Sequence, residues 1–120
     1  MLKGIPKCIS PELLYVLDKM GHGDEIVISD GNFPGESVGK DNIVIRSDGT
    51  GVPELLEAIL QLMPLDTYAD CVFLMDKTES DRDLEIPIWD EYRRILKEHT
   101  AQDVHFIERQ AFYDRAKKAY

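Results

Sequence analysis

The chain has 120 residues, with 14 basic and 23 acidic side chains and a formal net charge of −9. A chain of this length forms one domain whose core is large enough to do without disulfides or metals. The negative charge disfavours nucleic acids and membrane surfaces as partners, whereas a neutral ligand is unaffected by it. The apolar runs are too short to cross a bilayer and the amino terminus has no secretory signal, so we expect a cytoplasmic location.

Helix and strand patterns alternate along the chain. The first helix is predicted to begin at Ser10-Pro11-Glu12, with the serine hydroxyl as its cap, and to end at Gly21 in a left-handed conformation. Further helices are predicted near Pro53, around Trp89 and around Phe112. The predicted strands are residues 25–29, 43–46, 71–75 and 104–108.

This alternation predicts an α/β fold for residues 1–120: a single three-layer α/β/α domain with a mixed, mostly parallel sheet. Ligands of such domains bind at the carboxyl ends of the strands. The last helix pattern reaches Tyr120 without a residue that would close it. Either this helix frays at its end, or a further segment belongs to the working protein.

Two residues near the predicted strand ends are candidates for chemistry. His22 lies between two glycines, and a histidine can give and take a proton near neutral pH, although loop histidines are common without any such role. Asp30 follows the apolar run 26–29, where a ligand is expected, but it is nearly as consistent with an acid that bonds the amides of its own turn.

Asp66 and Arg109 are weaker candidates. Asp66 has the same turn-forming alternative as Asp30, and Arg109 follows a predicted strand, where it can bind hydroxyls or a carboxylate or simply pair with Glu108. No metal site is predicted, because the spacing of His22, His99 and His105 does not match that of zinc ligands.

Chain geometry limits any site that uses both His22 and Asp30. An extended connection at about 3.3 Å per residue would place their Cα atoms up to roughly 26 Å apart. Either the glycine-flanked turn folds back along the strand, or a neighbouring subunit supplies one of the two groups. We therefore expect the site to be completed at the interface of a symmetric homo-oligomer.

Several sequence blocks, in the same order over almost the whole chain, resemble the family that contains the fucose mutarotases and the ribose pyranases. The Asn32-Phe33-Pro34 segment resembles the fucose branch. The matching blocks are Ser10-Pro11-Glu12-Leu13-Leu14, Met20-Gly21-His22-Gly23-Asp24-Glu25-Ile26, Ser29-Asp30, Pro64-Leu65-Asp66-Thr67-Tyr68 and Phe112-Tyr113-Asp114-Arg115-Ala116-Lys117-Lys118-Ala119.

The resemblance implies an isomerase that interconverts the anomers of L-fucose without metal or cofactor, in a homo-oligomer with pockets near subunit contacts; pyranase activity is a further possibility. It implies His22 as the catalytic proton donor and Asp30 as a residue that binds the sugar hydroxyls. Asp66, Arg109 and Tyr113 match other family positions that line the pocket. Family chains continue into a strand with a Tyr-Gly-Asn motif, so the domain is expected to lack its C-terminal strand.

Two alternatives stay open at this point. One is a phosphocarrier or receiver-like module that is phosphorylated on His22 or Asp30. The other is a protein that binds a monosaccharide and regulates a partner without turnover, because binding and catalysis would use the same pocket residues.

Overall fold

The structure is a computed structural model, and it describes residues 2–120. Its α-helices are α1 (Pro11–Lys19), α2 (Gly35–Val38), α3 (Val52–Leu62), α4 (Ile88–Lys97) and α5 (Arg109–Ala116). Its strands are β1 (Phe73–Met75) and β2 (His105–Ile107), and a short 3-10 helix spans Glu79–Asp81. The predicted α/β class is confirmed.

The two strands form a parallel ladder in which Phe73 lies opposite His105 and Met75 lies opposite Ile107. Parallel strands require a long crossover connection, and α4 lies within it. The predicted strands 71–75 and 104–108 are therefore present in shortened form. Each begins its ladder one or two residues later than the apolar pattern suggests.

The other two predicted strands, residues 25–29 and 43–46, have no ladder within residues 2–120, so that part of the prediction is wrong for this structure. Both segments line the same largely apolar cavity of about 160 Å³. They do not exchange ladder hydrogen bonds with each other. The mixed sheet of a three-layer domain is consequently not confirmed.

Helix α3 contributes to both parts of the hydrophobic core. Ala58 and Ile59 pack with Leu13 and Leu17 of α1, while Leu60 packs against α4. Ile59 is 1% exposed and is the largest fully buried side chain among the described residues. Because α3 is held on two sides, the segment that follows its carboxyl end starts from a well-fixed position.

Helix α1 begins as predicted, because Ser10 Oγ accepts a hydrogen bond from the Leu13 amide at 3.2 Å. The predicted left-handed cap at Gly21 is wrong. The helix ends when Met20 takes an extended conformation. The positive φ of +86° is found at Gly23, two residues after Gly21. The glycine is needed inside the following turn and not at the end of the helix.

Helix α5 begins at Arg109, before the predicted start around Phe112, because Glu108 accepts hydrogen bonds from the amides of Gln110 and Ala111. The helix ends at Ala116 and does not continue to Tyr120. The last residues turn back, so that the Tyr120 amide donates to the Glu25 carbonyl at 3.0 Å.

No helix among residues 2–120 is long and apolar enough to cross a membrane.

Candidate active site

His22 lies at the tip of the turn that follows α1. This turn is closed by two hydrogen bonds, from the Asp24 amide to the Gly21 carbonyl and from the Gly21 amide to Asp24 Oδ2. The side chain of His22 is 86% exposed. The turn therefore presents the imidazole to solvent, where a small ligand can reach it.

Asp66, which lies 44 residues after His22 in sequence, holds this turn in place. Its Oδ1 lies 2.7 Å from His22 Nδ1, and its Oδ2 accepts a hydrogen bond from the Gly23 amide at 3.1 Å. These two hydrogen bonds, in that order of effect, lower the pKa of Asp66 below its usual value of 3.8. Asp66 is thus ionised at neutral pH, and the interpretation as a residue that bonds amides of its own turn does not hold.

The Asp66 carboxylate determines which nitrogen of His22 carries the proton. An ionised carboxylate only accepts hydrogen bonds, so we assign the proton of the neutral imidazole to Nδ1. Nε2 then carries the lone pair and is available to accept a proton from a ligand. The ring is consequently oriented by one nitrogen and reactive at the other.

Tyr68 completes what we call the His22 cluster, which consists of His22, Gly23, Asp66 and Tyr68. Its ring lies edge-on to the imidazole, with 6.0 Å between the ring centroids. Partial desolvation and the negative charge of Asp66 raise the pKa of the Tyr68 hydroxyl above its usual value of 10.0. Tyr68 stays protonated at neutral pH and keeps a hydroxyl donor beside the histidine.

Asp30 is organised by its own loop. Its Oδ1 accepts hydrogen bonds from the amides of Asn32 at 3.0 Å and Phe33 at 3.2 Å. This is the turn-forming arrangement that the sequence left open as an alternative. It does not remove Asp30 from a site, because the carboxylate is exposed and has further lone pairs for a ligand.

Phe33 connects this loop to α5. Its ring centroid lies 5.5 Å from that of Tyr113 and 6.0 Å from that of Phe112. The negative charge of Asp30 also acts on Tyr92 of α4, where it adds to burial in raising the pKa of the tyrosine above 10.0. We call this second group the Asp30 region, which consists of Asp30, Phe33, Tyr92 and Tyr113.

Arg109 is the first residue of α5 and is exposed. Its guanidinium makes no hydrogen bond or ion pair with another side chain among residues 2–120. The expected pairing with Glu108 does not form, because that carboxylate caps the helix. Arg109 is therefore left with donors for a ligand or for another chain.

Helix α5 contacts the Asp30 region and the segment that follows the His22 turn. Arg115 Nε donates to Glu25 Oε2 at 2.7 Å, only three residues beyond His22, while Tyr113 contacts Phe33 of the Asp30 region. No hydrogen bond or ring contact joins the His22 cluster directly to the Asp30 region within residues 2–120. The structure thus places four of the five candidate residues in two groups and leaves Arg109 apart from both.

Sequence reasoning missed two tyrosines that the structure places beside candidate residues. In the sequence, Tyr92 is only one of the residues whose spacing predicts the helix around Trp89, and Tyr68 is only one residue of a block that matches the family. Neither has a spacing that would single it out, since each meets its partner through the tertiary fold.

The His22 cluster is a general acid–base arrangement: a carboxylate orients an exposed imidazole, and a tyrosine lies beside it. The model of the RbsD / FucU transport protein family matches residues 3–120. The chain belongs to this family.

Curated relatives agree. The chain is 53% identical to the fucose mutarotase of Danio rerio, over 100% of this chain and 81% of the relative. It is 48% identical to the fucose mutarotase of Homo sapiens, over 99% of this chain and 80% of the relative.

Solved structures have the same fold. The FucU structure from Bifidobacterium longum superposes with a TM-score of 0.93 at 55% identity, covering 98% of this chain and 85% of that one. The fucose mutarotase of Streptococcus pneumoniae, solved in complex with L-fucose, gives a TM-score of 0.88 at 47% identity, covering 99% and 84%.

Proposed function

We propose that this chain is an isomerase that interconverts the α and β anomers of L-fucose. One observation carries the proposal: Asp66 fixes Nδ1 of an otherwise exposed histidine and leaves Nε2 free for proton exchange. Relatives at about half identity over the whole chain are fucose mutarotases, and one of the matching structures contains L-fucose. Pyranase activity is a secondary proposal from the same family.

The reaction needs two proton movements and one rotation. A proton leaves the anomeric hydroxyl while another is added to the ring oxygen, so that the bond between the anomeric carbon and the ring oxygen breaks and an open-chain aldehyde forms. Rotation about the bond next to the aldehyde carbon exposes its other face, and the reverse steps close the ring. His22 Nε2 takes the proton of the anomeric hydroxyl, the Asp66 carboxylate stabilises the imidazolium that forms, and this imidazolium supplies the proton that the ring oxygen receives.

We propose Asp30, Arg109 and Tyr113 as residues that bind the sugar. A carboxylate accepts hydrogen bonds from sugar hydroxyls and a guanidinium donates them, so together they discriminate between hydroxyl configurations. Asp66 takes a different role from the one implied by resemblance alone. Both of its oxygens already serve the His22 turn, which makes it a positioning residue.

We also propose that a homo-oligomer completes the pocket. The His22 cluster and the Asp30 region have no direct contact in one chain, and Arg109 has no side-chain partner among residues 2–120. A second copy that brings its Asp30 region or its Arg109 to the His22 cluster would join them. Sedimentation and anomer-exchange activity, both measured while the protein is diluted, would test this proposal. Activity should be lost over the same concentrations at which the oligomer dissociates.

Two finer proposals remain. Residues 25–29 and 43–46 would pair as further strands in the assembled protein and give the three-layer domain, since both segments are rich in β-branched residues and line the same cavity. Slow amide hydrogen exchange at residues 26–28 is the expected result.

A cytoplasmic location is supported by the two free cysteines, Cys8 and Cys71, which a reducing compartment preserves.

The test of function is His22→Ala, assayed by saturation-transfer NMR of anomer exchange in L-fucose. We expect a loss on the order of 10²–10⁴-fold, the usual contribution of positioned acid–base catalysis. The matched control is His105→Gln, because His105 Nε2 also lies near a carboxylate, 3.2 Å from Asp70, but outside both regions. Full activity in His22→Ala would remove His22 from the mechanism.

The phosphocarrier alternative is not favoured. The groups in contact with His22 are a carboxylate and a tyrosine ring, and the negative charge of Asp66 opposes a phosphoryl group on the imidazole. A regulator without turnover is distinguished by calorimetry, since it would bind L-fucose without accelerating anomer exchange.

A further inference from the structure

A second cluster of polar side chains lies away from the His22 cluster and the Asp30 region, between α3 and the carboxyl end of α4. It consists of Glu57, Glu98 and His99, each of which offers one ligand atom, and these atoms lie within 4.8 Å of one another. We propose that this cluster binds a divalent transition-metal ion of the Zn²⁺ class. The sugar reaction does not require these residues, so the proposal is independent of the proposed function.

His99 supplies the second observation that points to a ligand. Its Nε2 is buried and has no hydrogen-bond partner, the only such side-chain nitrogen or oxygen found among the described residues. A buried polar atom without a partner costs free energy, since it has lost its hydrogen bonds to water. A metal ion coordinated by the Nε2 lone pair would remove that cost.

The three ligand atoms lie within 4.8 Å of one another, so binding a small ion requires the glutamate side chains to move toward His99. His99 Nε2 lies 3.9 Å from Glu57 Oε1. Two ligands of a tetrahedral zinc ion, each bound at about 2.0–2.2 Å, lie about 3.4 Å apart. The glutamate therefore has to move by about half an ångström. Its side chain is 36% exposed and flexible enough to do so.

The backbone that carries these ligands is fixed. Glu57 lies in the middle of α3, and Glu98 and His99 directly follow α4, so α3 and the end of α4 carry all three residues. The two helices pack through Leu60, Ile95 and Leu96, which are all buried. A bound ion would cross-link α3 to the end of α4 on a scaffold that needs no large rearrangement.

The electrostatic surroundings favour a cation. Glu57 and Glu98 line an open groove of about 420 Å³ together with Glu54 and Arg94, so the lining of the groove includes three carboxylates and one guanidinium. An imidazole with carboxylates is a ligand set for zinc, cobalt and nickel, whereas Mg²⁺ and Ca²⁺ prefer oxygen ligands alone. The groove leaves room for water to complete the coordination.

The experiment uses the full chain, stripped with a chelator and titrated with Zn²⁺ by calorimetry and with Co²⁺ by visible absorption. We expect one equivalent to bind, to raise the melting temperature, and to give the ligand-field spectrum of coordinated Co²⁺. Glu57→Gln, Glu98→Gln and His99→Gln should each weaken Zn²⁺ binding by at least about 10-fold, because each removes a direct ligand. Anomer exchange should be unchanged in all three.

The controls separate this cluster from the other histidines. His105→Gln tests the His105–Asp70 pair, and His22→Gln tests the His22 cluster; both should retain Zn²⁺ binding. Absence of stoichiometric binding would overturn the proposal. So would retained affinity in Glu57→Gln and Glu98→Gln, which change exposed or half-buried carboxylates and leave the core intact, or loss of binding in His22→Gln.

Discussion

The His22 cluster and the Asp30 region use the same chemical group, an aspartate, in opposite ways. Asp66 reaches a histidine 44 residues away in sequence and fixes it. Asp30 accepts hydrogen bonds from amides two and three residues ahead of it and fixes only its own loop. The first aspartate positions another residue, whereas the second is held by its own loop, and we propose that it binds the sugar.

This difference separates proton transfer from binding. Proton transfer requires a defined tautomer and orientation of the imidazole, which a distant carboxylate on a second element can impose. Hydroxyl binding requires an exposed acceptor at a fixed position, which a local turn can supply. The two aspartates should therefore affect different kinetic parameters, and their substitutions test the comparison.

The largest effect in this comparison is expected from Asp66→Asn. The amide keeps the shape of the side chain but no longer stabilises a protonated His22, so we expect kcat to fall by about 10- to 100-fold, part of the about 10²–10⁴-fold of acid–base catalysis. KM should change little. Anomer-exchange NMR at several L-fucose concentrations gives both parameters.

Asp48→Asn is the matched control. Asp48 is an exposed aspartate that forms an ion pair with Arg46, a residue only two positions away in sequence. It should behave as the parent protein. An Asp66→Asn enzyme with normal kcat would show that His22 needs no oriented carboxylate.

The next effect in size is expected from Asp30→Asn. The asparagine oxygen can still accept the two loop amides, while the negative charge toward the sugar is lost. We therefore expect KM to rise by about 10-fold, the lower part of what a charged hydrogen bond contributes, with an unchanged unfolding midpoint in urea. Asp30→Ala, which also removes the loop hydrogen bonds, should lower the midpoint as well.

If Asp30→Asn reduced kcat and left KM unchanged, the division between the two regions would fail. Asp30 would then belong to proton transfer, and the Asp30 region would have to approach His22 more closely in the working assembly.

The smallest effect is a pH-dependent difference in stability. The pKa of Asp66 is lowered in the folded chain by its hydrogen bonds to His22 and Gly23, so the unfolded chain binds more protons near pH 3.8. Its stabilising contribution is present above that pH and disappears as the pH falls through the lowered pKa. Urea unfolding should show the parent protein more stable than Asp66→Asn at pH 6, with the difference shrinking toward pH 2.5.

A difference between the two proteins that stays constant down to pH 2.5 would contradict the assignment of the ionised Asp66 carboxylate as the partner of the turn.

Local signals predicted the helices well. Ser10 and Pro11 set the start of α1, and Pro53 marked the first turn of α3, because caps and proline act on the backbone within a few residues. Local signals failed for residues 25–29 and 43–46. A strand needs a partner at the correct distance, and these segments border a cavity.

The candidate residues were found partly from their types and partly from family resemblance, but their grouping was not. The sequence marked Asp66 as a turn residue or a pocket residue, and neither description contains its contact with His22. The spacing of residues along the chain also does not mark His99 as a metal ligand, because Glu57 lies on a different helix and far from His99 in sequence.

The residues that carry charge and protons, the starts of α1 and α3 and the α/β class follow from side-chain chemistry and short-range backbone preferences, and the amino-acid sequence was therefore enough to predict them. The contact of Asp66 with His22, the contact of Tyr113 with Phe33 and the approach of Glu57 to His99 became known only from the three-dimensional packing. Contacts between residues far apart in the chain depend on how helices and strands pack, and no local pattern encodes them.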